Sequence, residues 1–181
     1  IEEGLFAARR PVPVVGRRSV KARKVTAVDF ATPGSGPGTP VIGVVDCPAL
    51  GEVFSGIAGQ GAWLNGEPMR VSDVSDPQRG VLMTGIPARA ATDPDTMAEF
   101  TARITRWRKV RMIGSAACAL AYVGAGRADS YRETGGMMWD VAGGCAIVSG
   151  AGGRVVIAGV DSGALDSRLD VRADNGRVPA A

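Results

Sequence analysis

Histidine is absent from all 181 residues, which removes Ser-His-Asp and Cys-His catalysis and histidine-ligated zinc. Cysteine is scarce: Cys47, Cys118 and Cys145 are odd in number and far apart. Such a set makes neither a disulfide framework nor a zinc pattern. It reads as buried thiols of a reducing compartment, so a cytoplasmic location is expected. No apolar run approaches the roughly 18 residues of a membrane span, and no signal-peptide pattern opens the chain. The chain starts on Ile1 rather than Met, as a fragment or a processed product would. Aromatic residues are only 5% against 26 glycines, so the core must come from small aliphatic residues packed closely around tight turns. What remains for chemistry is carboxylates, hydroxyls, backbone amides and a hard cation bound through oxygen.

Acid is missing locally too. Arg9, Arg10, Arg17, Arg18, Lys21, Arg23 and Lys24 form a run with no carboxylate between Glu3 and Asp29. These seven account for the basic balance, because residues 29–181 hold 14 basic and 16 acidic side chains. The run reads as a solvated arm, and nucleic-acid binding is not expected of it. Residues 4–38 show neither helical nor strand periodicity, and Pro33-Gly-Ser-Gly-Pro-Gly-Thr-Pro40 reads as linker. We therefore divide the chain into an irregular basic segment, 1–38, and one domain, 39–181.

Within the domain the texture is regular. Val41–Val45 is a β-branched run whose hairpin partner is Glu52–Ser55. Asn65-Gly66 is a strong hairpin-turn signal, with Arg70–Ser72 on its far side. Val81–Thr84 is a further strand. Thr92 can cap a helix carrying Met97, Phe100, Ile104 and Trp107 on one face. Lys109–Ile113 alternates as a strand with Val110 and Met112 inward. Gly114-Ser115 opens an Ala-rich helix that glycine stops at Gly124 or Gly126. Asp129–Glu133 is a short strand, Asp140 starts a third helix packed through Val141, Cys145 and Val148, and Arg154–Ala158 and Leu169–Ala173 are strands. The order is β-rich, then α, β, α, β, α, β, which predicts a mixed, layered α/β domain.

The chemistry concentrates in Glu133-Thr-Gly-Gly-Met-Met-Trp139-Asp140. Two carboxylates stand seven residues apart, Glu133 in an expected turn and Asp140 at an expected helix start. Trp139 is the apolar anchor beside the second. A carboxylate at a helix start caps the helix or holds a cation.

Taken in order, these pieces resemble the inositol monophosphatase-like family of Mg²⁺-dependent, lithium-sensitive sugar phosphatases. The resemblance rests on Gly43-Val-Val45 with Pro48, Gly59-Gln-Gly-Ala-Trp-Leu-Asn-Gly66 with Val71-Ser72, and Gly114-Ser-Ala-Ala117. It continues through Gly126-Arg-Ala-Asp129, Tyr131, Glu133, Trp139-Asp-Val-Ala-Gly143 and Ala151-Gly-Gly153. It implies an αβαβα sandwich, represented here mainly by its C-terminal half. It also implies that Asp140 descends from a Mg²⁺ ligand, that Gly114, Ser115 and Ala116 contact the substrate's phosphate or hydroxyls, and that Glu133 contacts its sugar or polyol. The expected activity is hydrolysis of a small phosphorylated polyol, sugar or nucleotide by metal-activated water, in a homodimer.

The departure is upstream. The family's Asp-Pro-x-Asp-Gly-Thr metal loop does not occur in this sequence. Glu2-Glu3-Gly4 stands as the candidate remnant of the family's acidic pair, with Glu2 as a second candidate metal ligand. The alternative expectation is a catalytically inactive, truncated homologue that binds a phosphorylated ligand or a partner subunit.

Overall fold

In a computed structural model of the chain, residues 23–25, 40–86, 94–159 and 168–179 are described. Five strands form an antiparallel sheet in chain order: β1 (Arg23–Val25), β2 (Ile42–Cys47), β3 (Glu52–Ile57), β4 (Gly61–Leu64) and β5 (Glu67–Pro68). Three residues of the basic segment thus pair with β2, Lys24 opposite Val45. The β4–β5 hairpin turns on Asn65 (φ 52°) and Gly66 (φ 88°), the left-handed pair that an Asn-Gly turn requires. Asn65 also ties this turn to the preceding one: its Oδ1 accepts from the Val53 amide at 2.9 Å and its Nδ2 donates to the Gly51 carbonyl at 3.0 Å. The far strand ends at Pro68, and residues 69–76 form no strand. The expected strand Arg70–Ser72 is therefore corrected: proline has no N–H with which to carry the ladder onward.

The second sheet contains β6 (Val81–Thr84), β7 (Lys109–Arg111), β8 (Ser130–Met137), β9 (Arg154–Ala158) and β10 (Arg168–Asp174), in the order β7-β6-β8-β10-β9. β6 runs parallel to both β7 and β8, whereas β10 is antiparallel to β8 and β9. Helices α2 (Ala116–Gly124) and α3 (Met138–Gly150) lie between the sheets, α3 touching β2, β3 and β4 on one side and β8, β9 and β10 on the other. A helix with a sheet on each side must be apolar all round, and every residue from Val141 to Val148 is buried. The contact is close because Gly43 of β2 has no side chain, and a Cβ there would run into the Gly143 carbonyl.

Alternation along β6 separates the two faces of the second sheet. Met83 joins the core formed by α2 and α3, while Leu82 packs with Trp107 and Val178 on the opposite side. Helix α1 (Pro94–Ile104) reaches that outer cluster through Ile104 and has no fully buried residue of its own. The expected apolar stripe is thus weaker than its spacing suggests: Met97 is exposed, and Trp107, buried, lies beyond the helix end. Its expected cap, Thr92, lies outside the described residues. The element order is the one expected, and the architecture is a layered α/β fold.

One polar network fixes the strand ends. The buried Asp129 carboxylate accepts from the Ser72 hydroxyl at 2.5 Å and the Val81 amide at 2.6 Å. Asn175 donates to Ser72 Oγ at 2.8 Å and to the Val74 carbonyl at 2.7 Å. These bonds give the Val71-Ser72, Asp129 and Asn175 segments a structural purpose, joining the loop before β6 to the starts and ends of β8 and β10.

Candidate ligand site at the carboxyl edge of the mixed sheet

The parallel strands define a direction. Arg111 of β7, Met83 of β6 and Tyr131 of β8 stand in register across the sheet. The chain therefore leaves β7 towards Gly114–Ala116, leaves β6 at Gly85, and continues along β8 to Glu133, all on one edge. Crevices beyond the carboxyl ends of parallel strands are where α/β sheets bind ligands.

At this edge Gly114 adopts φ 72°, a left-handed turn that aims the chain into α2. Ser115, half-buried, is the residue before the helix, and its Oγ accepts from the Cys118 amide at 3.3 Å. That bond occupies one of the free amides of the first turn and leaves the helix start suited to an anion. The predicted pairing of Gly114-Ser115 with a helix start is observed, with Ala116 as the first helical residue.

Glu133 belongs to the strand expected over Asp129–Glu133 and is not in a turn, because the strand runs on to Met137. It lies inside β8, opposite Val171 of β10. The pairing continues past it by a bulge: Thr134 faces Asp170, Gly136 faces Leu169, and Gly135 (φ 79°) is the extra residue. The glycines that read as a turn are the bulge that carries the strand on. The Tyr131 hydroxyl donates to Glu133 Oε2 at 2.6 Å. Tyr131 is only 1% exposed, and burial first, then the Glu133 charge, pushes its phenol above the usual tyrosine range. The Asp140 charge acts in the same direction, so both carboxylates of the motif act on this one phenol.

Asp140 sits in the first turn of α3 as its third residue, half-buried. It does not start the helix as expected; the residue before the helix is Met137, which supplies no side-chain cap. Trp139 is not a buried anchor: it is 52% exposed, while its neighbour Met138 in the same turn joins the core. Met112 is corrected likewise. β7 ends at Arg111 on the outside of the sheet, and Met112 is 50% exposed.

A hard divalent cation needs several oxygen donors. Among the described residues there is no group of three or more His, Cys, Asp or Glu side chains that could hold a metal ion. Asp140 does not fit such an ion by itself, and Glu2 lies outside the described residues. The three cysteines are buried thiols, none of them in a disulfide. Cys47 and Cys118, 71 positions apart, place their sulfurs 3.0 Å from each other. The neighbouring Cys118 thiol, then burial, raise the Cys47 thiol above its ordinary range. Sequence reasoning assigned Tyr131 no ligand role and did not single out Gly85, yet both lie against the Glu133 carboxylate. The signal for Tyr131 was its two-residue spacing from Glu133, which puts both side chains on one face of a strand.

Two sheets enclosing a helix layer, with a helix start and a carboxylate on the carboxyl edge of the mixed sheet, define a layered α/β protein. The comparisons with known proteins name the group. The sequence profile of the inositol monophosphatase family matches residues 36–180, and the chain belongs to that family. It is 41% identical over 123 residues to inositol monophosphatase 3 of Solanum lycopersicum, a match covering 64% of this chain and 44% of that protein. It is also 41% identical over 115 residues to the fructose-1,6-bisphosphatase/inositol-1-monophosphatase of Thermotoga maritima, covering 63% and 43%. The solved inositol monophosphatase of Anabaena (Nostoc) sp. superposes with a TM-score of 0.67 at 36% identity, over 77% of this chain and 55% of that one. The chain thus spans about half the length of the relatives it matches, and it corresponds to the C-terminal part of their fold.

Proposed function

We propose that this chain carries the substrate-holding side of a phosphomonoesterase of the inositol monophosphatase family, for a small phosphorylated polyol, sugar or nucleotide. One observation carries the reading: the chain leaves β7 for Gly114–Ala116 at the same edge at which Glu133 of β8 runs past the last residue of β6. The start of α2 offers amides to the phosphate. Glu133 offers a carboxylate to the hydroxyls, an arrangement that rejects ligands lacking them by leaving a polar group unpaired. Hydrolysis with Mg²⁺, as the family resemblance implies, needs oxygen donors beyond those gathered among the described residues, so no bond-breaking step is assigned to them. A homodimer belongs to the same reading, and sedimentation of the purified chain tests it.

The donor deficit favours a second reading, a non-catalytic family member that binds a phosphorylated ligand or a partner subunit. Phosphate release separates the two. The full chain is given inositol monophosphate across a range of Mg²⁺ concentrations, with Li⁺ added afterwards. Mg²⁺-dependent release that disappears in Asp140→Asn supports the enzyme. Absence of release at every Mg²⁺ concentration supports the binding protein.

A further inference from the structure

β8 presents Tyr131 and Glu133 on one face. Tyr131 is enclosed by the core between the mixed sheet and the two buried helices, while Glu133 stands half-buried where that core meets the edge. The hydrogen bond between them, 2.6 Å from Tyr131 Oη to Glu133 Oε2, ties one carboxylate oxygen to a side chain buried in the core. The strand alongside is locked as well, because Thr84 Oγ1 donates to the Arg132 carbonyl at 2.6 Å. The next residue is Gly85, and its missing side chain is where Glu133 sits: a Cβ there would lie 2.5 Å from Oε2 and 2.9 Å from the carboxyl carbon. A two-residue spacing on β8 and one glycine on β6 therefore converge on a single carboxylate.

We propose that Tyr131 and Gly85 are positioning residues for Glu133. Tyr131 holds Oε2 from the core side and Gly85 supplies the space the carboxylate occupies, so the other oxygen is held ready for a ligand hydroxyl. The inference deepens the function proposed above and rests on it for the identity of the ligand. The opposite arrangement, in which Glu133 serves only to satisfy a buried phenol, makes a different prediction about binding. The two substitutions are also gentle. Gly85 lies outside the left-handed region, and an alanine there meets the far end of a flexible side chain, which can move aside. Removing the Tyr131 hydroxyl leaves a half-buried carboxylate that water can reach.

The test uses Tyr131→Phe, Gly85→Ala and Glu133→Gln in the full chain. Crystal structures of the first two read the carboxylate position without any ligand. Displacement of the Glu133 carboxylate in both is expected, and a carboxylate unmoved in both overturns the proposal. Binding is then measured with two probes, myo-inositol 1-phosphate and methyl phosphate, which lacks the hydroxyls. All three variants are expected to weaken the inositol ester about tenfold, the scale of one charge-assisted hydrogen bond, and the methyl ester less than twofold. Equal loss for both probes, or none for either in Tyr131→Phe and Gly85→Ala, overturns the positioning role. If the unaltered chain binds neither probe, the proposed function fails, while the crystal structures still decide whether Tyr131 and Gly85 place the carboxylate.

Discussion

The two sheets have five strands each and share the same buried helices, yet only one carries candidate chemistry. The first sheet is antiparallel throughout, and from β2 to β5 its strands are joined by short turns such as Asn65-Gly66. The second sheet contains three parallel strands in register, and where β6 and β7 end beside the middle of β8, Gly85, Gly114–Ala116 and Glu133 come to one edge. Strand direction separates a packing surface from a site: parallel strands need crossovers, and crossovers put helix starts beside strand ends.

The contrast can be broken first from the packing side. Gly43→Ala puts a methyl group against the Gly143 carbonyl, backbone against backbone. Because neither element can yield without moving a layer, destabilisation of about 3 kcal/mol is expected, measured by denaturant unfolding. The same substitution at an exposed turn glycine such as Gly152 meets no atoms and is strained only by its φ of 83°.

The helix layer that both sheets share gives the next effect. Burial pushes the Cys145 thiol up to about 12, from 9.0. With the folded value raised, the unfolded chain loses this proton first, so the stabilisation is complete below pH 9 and declines as pH rises towards 12. The slope is at most about 1.4 kcal/mol per pH unit for this group. Cys145→Ala is expected to flatten the alkaline decline relative to the unaltered chain in unfolding titrations from pH 8 to 11. An unchanged slope would remove Cys145 as its cause.

Smaller still is the effect at the site edge. Ser115→Ala removes the bond to the Cys118 amide and is expected to cost about 1 kcal/mol by thermal unfolding, a usual value for an N-cap. Under the proposed function, edge positions bear ligand contacts rather than fold, and the sequence of costs from Gly43 to Ser115 sharpens that division.

Much of the fold is legible in the residues because the local signals agree with the packing. Asn65-Gly66 makes the turn its left-handed preference dictates, and Ser115 caps the helix that follows it. The misread positions share a physical cause: they depend on partners distant in sequence. Gly135 and Gly136 look like a turn until β10 pairs across them and makes a bulge. Trp139 and Met112 look buried by composition, but Trp139 stands on the exposed side of the first turn of α3 and Met112 follows an outer strand. For the site, Glu133 and Asp140 were visible as carboxylates. That Tyr131 and Gly85 determine the surroundings of Glu133 was not, because Gly85 is 48 residues away from it in sequence and adjacent only across paired strands.

The central claim is that ligand chemistry belongs to the carboxyl edge of the mixed sheet and not to the antiparallel one. Backbone amide chemical shifts of the full chain, followed during titration with myo-inositol 1-phosphate, test it most directly. The account predicts saturable shifts at Gly85, Gly114 to Ala117 and Glu133 to Thr134, with Ile42 to Cys47 unmoved. Shifts centred on the antiparallel sheet, or none at these edge residues while the ester binds, would contradict it.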